Sequence, residues 1–123
     1  MAKMSQEVQK AVAEIKPGLI ATSSKTGKPN VSAKGSLRVL DDEHLMFANI
    51  MSPGTLTNLQ ENPQIAVICL DPATRAGCRI FGRSEILNAG PLFDQMSQEY
   101  ATKRMTVKQV VKIAVEEAYT FKI

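Results

Sequence analysis

The sequence predicts a mainly β fold of the α+β kind, a small barrel or curled sheet with peripheral helices. Three observations predict it. Residues 31–40, VSAKGSLRVL, place small or apolar side chains at odd positions and mostly polar or cationic ones at even positions, the two-residue period of a strand. Residues 78–86 alternate in the same way, with Cys78, Ile80, Gly82, Ser84 and Ile86 set against Arg79, Phe81, Arg83 and Glu85. The links between the early apolar segments are short, which favours antiparallel neighbours.

The elements follow in order. From Ser5 to Lys16, Val8, Ala11, Val12 and Ile15 recur at helical spacing, and Pro17-Gly18 stops the helix. LIATSS (19–24) reads as a strand and KTGKPN (25–30) as the turn after it. Residues 31–40 form the next strand, and DDEH (41–44) leads tightly into LMFANI (45–50), so three successive strands form an antiparallel meander. In MSPGTLTNLQENP, Ser52 suits an N-cap and Pro53 the first helical position, while Leu56 and Leu59 give one apolar edge. Asn62-Pro63 ends that helix. QIAVICL (64–70) is an unbroken apolar run, the pattern of a central strand buried on both sides. GPLFDQMSQEYATKR (90–104) is helical, with Leu92, Phe93, Met96 and Tyr100 on one side. The last strand, from Val107 onward, points Val111, Ile113 and Val115 one way and Lys112, Ala114 and Glu116 the other.

Residues 1–123 are of a size for one domain, with 44% hydrophobic and 22% charged residues, a globular balance. No apolar run approaches the roughly 20 residues that cross a bilayer, and the charged first segment lacks the apolar centre of a signal peptide. A cytoplasmic protein without a membrane partner is the expectation. Cys69 and Cys78 are too far apart for a CxxC site and read as buried small hydrophobes, with neither a disulfide nor a metal expected. A net charge of +3 favours anionic ligands. Six aromatic residues, with no tryptophan, offer few platforms for stacking bases, so nucleic acid is not an expected partner.

The side chains do not assemble a hydrolytic site. The one histidine, His44, lies at a hairpin, and no nucleophile elbow, HExxH or GxGxxG is present. Glu116 and Glu117 are strand neighbours facing opposite sides, and Asp41, Asp42 and Glu43 read as a solvated turn. The pattern does offer anion binding. Ser52, Gly54 and Thr55 start a helix whose free N–H groups and positive end suit a phosphate. Lys34 and Arg38 add charge if the sheet curls their face towards that start.

The ordered set GKPNVSAKGSLRVLDDEHLMFAN, SPGTLTNLQENPQIAVICLDP and RAGCRIFGRSEIL, with GPLF before the later helix, resembles the pyridoxamine 5'-phosphate oxidase-like family of FMN-binding split barrels, in particular its short members. The resemblance runs from about Leu19 to Tyr119. It implies a six-stranded antiparallel split barrel forming a homodimer, with FMN at the subunit interface. It further implies that Ser32, Ala33, Lys34 and Ser36 run beside the flavin's ring and ribityl chain, and that Asn49, Ser52 and Thr55 meet its phosphate with Asn58 close behind. Lys34 would then stabilise negative charge on the reduced ring.

Two departures from the family pattern stand out. An arginine or lysine usually precedes the threonine of the phosphate motif, and this chain has Gly54 there, which leaves Lys34, Arg38 or Arg83 to compensate. The arginine and histidine that grip the substrate of true pyridoxamine phosphate oxidases have no counterpart in VKIAVEEAYTFKI (111–123), so vitamin B6 oxidation is not expected. The reading is a flavin-dependent oxidoreductase serving a small-molecule electron donor or acceptor. Two rivals stand beside it: a non-catalytic carrier or sensor of flavin, deazaflavin or haem on the same fold, and a small barrel binding single-stranded nucleic acid through Lys34, Arg38, Arg79 and Arg83, against which the aromatic count speaks.

Overall fold

The computed structural model of the chain describes residues 1–123. Its elements are α1 (Gln6–Glu14), β1 (Gly18–Ser23), β2 (Pro29–Lys34), β3 (Arg38–Asp41), β4 (His44–Asn49), α2 (Pro53–Glu61), β5 (Gln64–Asp71), β6 (Ala76–Leu87), α3 (Pro91–Ala101) and β7 (Gln109–Lys122). The seven strands make one antiparallel sheet in the order β2-β1-β5-β6-β7-β4-β3. Consecutive strands β2 and β3 thus occupy opposite edges of the sheet. Only Gly35, Ser36 and Leu37 join them, a link that reaches about 14 Å at full extension. The sheet therefore curls until its edges come close, and stays open along that seam. This is a split barrel.

Local chemistry explains the helices. Ser5 caps α1, accepting a hydrogen bond from the Val8 N–H at 3.2 Å, and turns Val8 and Val12 into the barrel. The principal core unites these residues and Met4 with Ile20, Leu37, Leu45, Phe47, Val67, Ile80 and Ile113, drawn from both halves of the sheet. A second, smaller core lies on the other side of β4, where Met46, Ala48 and Val110 pack against Met96 and Tyr100 of α3.

The structure corrects two expectations and decides a third point. Residues 31–40 are two strands rather than one, which raises the count from six to seven and replaces the three-strand meander by two hairpins, β1–β2 and β3–β4. The break has a physical cause: Leu37 is drawn fully into the core, and the Ser36 hydroxyl accepts from the Ala48 N–H at 2.9 Å. Secondly, β5 is buried on one face only, through Ile65, Val67 and Cys69. The strand covered on both faces is β4, because α3 lies over its outer side. The third point is that β2 turns its polar face inward, the curl on which anion binding by Lys34 depends. Its polar residues Asn30, Ser32 and Lys34 turn inward, and Val31 is 66% exposed.

Leu37 reaches the core through a gap left by Gly18, where a Cβ would lie 2.5 Å from the Leu37 Cδ2. Shortening Leu37 to alanine removes buried methyl groups at the seam and leaves a cavity. Leu37→Ala is expected to cost about 2–5 kcal/mol, read as a lowered denaturation midpoint with an unchanged slope.

Candidate functional site

Alternate residues of β2 share a face, and here that face looks onto the start of α2. The Lys34 Nζ donates to the Ser52 Oγ at 2.5 Å and to the Asn49 Oδ1 at 3.4 Å. Two residues back, the Ser32 and Thr55 hydroxyls lie 2.9 Å apart. Two further back, the Asn30 Nδ2 donates to the Thr55 Oγ1 at 3.2 Å. Asn49 is held in turn by its Nδ2 donating to the Gln109 Oε1 at 3.0 Å. The curl of the sheet thus gathers β2, the end of β4 and the first turn of α2 into one polar cradle.

Two features make the cradle electropositive. Ser52 occupies the N-cap position of α2 without making a side-chain cap, and the Gly54 and Thr55 N–H groups have no acceptor within the chain. Uncapped N–H groups at a positive helix end attract anions. Lys34 is the second feature. It is 6% exposed, and the chain's ion pairs, Arg38–Glu99 and His44–Asp41, do not include it. Burial pulls its pKa below the ordinary 10.5, with no neighbouring carboxylate to oppose the shift. The Phe47 ring centroid, 5.6 Å from the Nζ, offers only a weak cation–π contact. A buried cation without a counter-charge is costly unless an anion joins it.

Of the residues expected at the site, Ser32, Lys34, Asn49, Ser52 and Thr55 come together. The others serve different places. Asn58 turns inward and donates from its Nδ2 to the Thr22 Oγ1 at 3.1 Å. The Ser36 hydroxyl is engaged with the Ala48 backbone. Ala33 points its side chain to the opposite, exposed face of β2 and leaves only main chain beside the cradle. Arg38 does not add charge there: beyond the break in the strand it forms a bidentate pair with Glu99 of α3, both contacts 2.8 Å. Arg83 is exposed on β6, opposite Gln64.

Asn30 and Gln109 are additions to the expected set. Asn30 continues the even phase of Ser32 and Lys34 by two residues and was legible on that ground. Gln109 joins the site only through the β4–β7 pairing, in which it stands opposite Asn49. Cys69 and Cys78 stand opposite each other on β5 and β6, both buried and free. A hydrogen bond to Cys69, with burial, pushes the Cys78 thiol far up, as suits small core side chains.

The outer face of the sheet carries a different surface. Across β2, β1, β5 and β6, Val31, Ala21, Ala66 and Phe81 form one cross-strand row, and Ala33, Leu19, Ile68 and Arg79 the next. Most of these residues line an apolar groove of about 330 Å³. Arg79 extends it towards β7, its guanidinium 5.2 Å from the centre of the Phe121 ring.

The family model described as pyridoxamine 5'-phosphate oxidase matches residues 4–122. The protein MJ0282 of Methanocaldococcus jannaschii is 37% identical over 79 residues, 63% of this chain and 48% of that protein, so the chain spans about half the length of this relative. Among solved structures, HupZ of Group A Streptococcus superposes with a TM-score of 0.88 at 24% identity, covering 97% of this chain and 94% of that one. An FMN-binding protein of Syntrophomonas wolfei superposes with a TM-score of 0.84 at 15% identity, covering 96% of this chain and 86% of that one. No helix is long and apolar enough to cross a membrane.

The buried cation gives the free protein a pH signature. The lowered pKa means that, between that value and 10.5, the unfolded chain holds a proton on Lys34 that the folded chain has released. Stability contributed by this residue therefore rises with pH across that window. Lys16, whose pKa is also lowered by burial, adds a similar term. The Lys34 part is isolated as the difference between wild type and Lys34→Gln in thermal melts across pH, and this difference should shrink as pH rises. At neutral pH the variant is expected to be at least as stable as wild type without ligand.

Proposed function

The chain belongs to the pyridoxamine 5'-phosphate oxidase family, and on that footing we propose that it binds a flavin by its phosphate, with FMN as the cofactor, and works as an FMN-dependent oxidoreductase in a homodimer. The observation that carries the reading is Lys34, a buried ammonium with no carboxylate partner beside a helix start whose N–H groups are free. The FMN-binding protein of S. wolfei, alike in fold, accords with it.

The residues present fit a phosphate. Lys34 supplies a full positive charge, the Gly54 and Thr55 N–H groups supply donors, and the Ser32, Ser52 and Thr55 hydroxyls rotate to donate. Asn49, braced by Gln109, holds the Lys34 Nζ towards the helix start. Asn58 and Ser36 hold α2 and the seam in place from behind. When bound, the flavin supplies hydride or single-electron transfer between small-molecule donors and acceptors, and the chain supplies binding, orientation and electrostatics.

The homodimer rests on the outer rows. Leu19, Val31 and Phe81 are exposed on an apolar face that no helix of the chain covers. A second copy would remove this surface from water at about 25 cal/mol per Å². A second reading, a non-catalytic carrier or sensor of flavin, deazaflavin or haem, draws on the cradle's shortage of acid–base groups. Its one titratable side chain is Lys34, and His44 is turned to Asp41 at 2.8 Å in the β3–β4 hairpin. Turnover of a reductant by the flavin-loaded protein separates the two.

Titration of the purified protein with FMN, followed by flavin fluorescence and absorbance, tests the cofactor. Lys34→Gln is expected to weaken FMN binding by roughly 10- to 100-fold, the loss of one charge-assisted contact. The pH dependence has a definite sign: affinity falls as pH rises through the Lys34 pKa, starting below the 10.5 of an ordinary lysine, and this fall is absent in Lys34→Gln. Failure of wild type to bind FMN at any pH removes the cofactor assignment. For the assembly, size-exclusion chromatography should give a dimer for wild type and a monomer for Val31→Lys/Phe81→Lys.

A further inference from the structure

The chain has two cysteines, and the fold brings them together. Cys69 on β5 and Cys78 on β6 are register partners in the antiparallel ladder. The Cα atoms of residues so paired stand about 4.5–5.5 Å apart, inside the span of about 4.4–6.8 Å that a disulfide bridges. Close approach of the two strands is built in at this point. Gly77 precedes Cys78, and a Cβ there would stand 1.9 Å from the Cys69 carbonyl oxygen, so no side chain fits between the strands. Burial alone asks for small apolar side chains at 69 and 78, but not for a thiol at both.

The two thiols are chemically unequal. A hydrogen bond from the Cys78 thiol holds the Cys69 pKa below its ordinary value against the opposing effect of burial, and the Lys16 ammonium adds to it. The Cys78 thiol is pushed far up by the same contact and stays protonated. One sulfur is thus set up as the nucleophile and the other as the group that resolves it, the pairing found in redox-sensing thiols. Both are buried in the resting fold, at 1% and 0% exposure, so reaction waits on local opening. The hairpin end is where that opening occurs, since only the pairs Leu70–Gly77 and Asp71–Ala76 separate the cysteines from the β5–β6 turn. A cleft of about 800 Å³ between α1 and this hairpin end already brings solvent to Ala76 and Gly77. Glu7, Lys10, Glu14, Asp71 and Lys122 are among its lining residues, and their charges neither draw nor repel a neutral peroxide.

We propose that Cys69 and Cys78 form an oxidisable dithiol, which hydrogen peroxide converts to an intrachain disulfide across β5 and β6. The proposal is independent of the flavin reading. The Cys69 thiolate attacks one peroxide oxygen, the O–O bond breaks, and the departing hydroxide takes up the proton that Cys69 released. The Cys78 sulfur then attacks the sulfenic acid left on Cys69. The S–O bond breaks, and hydroxide leaves with the Cys78 proton as water. Two thiols and one peroxide give one disulfide and two waters, the sulfurs losing the two electrons that the peroxide gains. The bridge closes residues 69–78 into a ring at the foot of the seam, where the Cys69 Sγ lies 3.5 Å from the place a Gly18 Cβ would occupy beside Leu37.

Hydrogen peroxide treatment of the intact, reduced chain under native conditions tests it. Trypsin cuts after Arg75, between the two cysteines, so mass spectrometry reads the bridge as two peptides joined until a reductant is added. Oxygen taken up by the exposed Met51 and Met105 does not disturb this reading. Wild type is expected to give the joined pair, with a thermal midpoint raised by about 5–10 °C and restored by dithiothreitol. In Cys78→Ala the Cys69 sulfenic acid should persist and be captured by dimedone. Cys69→Ala should yield neither bridge nor adduct, because the remaining thiol is the protonated one. Cysteines that stay reduced in peroxide-treated wild type, a bridge between two chains, or a dimedone adduct on Cys78 in Cys69→Ala overturns the proposal. Where an alanine variant fails to fold, the wild-type result decides.

Discussion

The three-residue link between β2 and β3 is the constraint on which the rest of the molecule depends. Its ends belong to opposite edges of a seven-stranded sheet, so the sheet has no choice but to curl, and the curl creates the barrel interior that Leu37 enters. Two further contacts secure the link from either side. The Lys16 ammonium donates to the Leu37 carbonyl, and the Ser36 hydroxyl ties the seam to β4 at Ala48. Without this pinning, β2 would be a detached edge strand with polar residues facing nothing. With it, those residues are carried over the start of α2.

The electrostatics of the cradle follow from that placement. A lysine brought under a sheet would ordinarily acquire a carboxylate, as Arg38 does with Glu99 on the exposed side of the seam. Lys34 instead acquires a serine hydroxyl, an asparagine carbonyl and an aromatic face, all of them neutral. These partners hold the ammonium in place without cancelling its charge. Together with an uncapped helix end they leave a pocket of positive potential in a partly desolvated setting, where an anion is attracted more strongly than in bulk water. Such a site favours binding over acid–base work, which accords with a protein that leaves the reactive chemistry to a cofactor.

The two faces of β2 therefore serve opposite purposes. The inward face is polar and meets the start of α2, and the outward face is apolar, continuous with its neighbours on β1, β5 and β6. An exposed apolar patch on a sheet marks an interaction surface more often than chance. It also explains why β5 looked in sequence like a strand buried on both sides. Its second face is composed for burial, and no helix of its own chain covers it.

The sequence by itself determined the local elements and the chemistry they carry. Hydrophobic period and punctuation placed α1, α2, α3 and most strands, since these depend on neighbours within a few residues. The Ser52-Pro53-Gly54-Thr55 helix start and the alternating cations of 31–40 marked an anion site, and the ordered motifs pointed to the family. The tertiary structure decided the matters that turn on distant contacts. Residues 31–40 look continuous because alternation survives across the break, and only the pull of the core on Leu37 divides them. The same division sends Lys34 to the cradle and Arg38 to Glu99, although four residues on one strand face had seemed equivalent. Which face of β2 turns inward, and that Gln109 braces Asn49 from 60 residues away, follow from strand order. A two-residue period specifies that two faces differ, and only the packing of the whole sheet specifies which of them meets the interior.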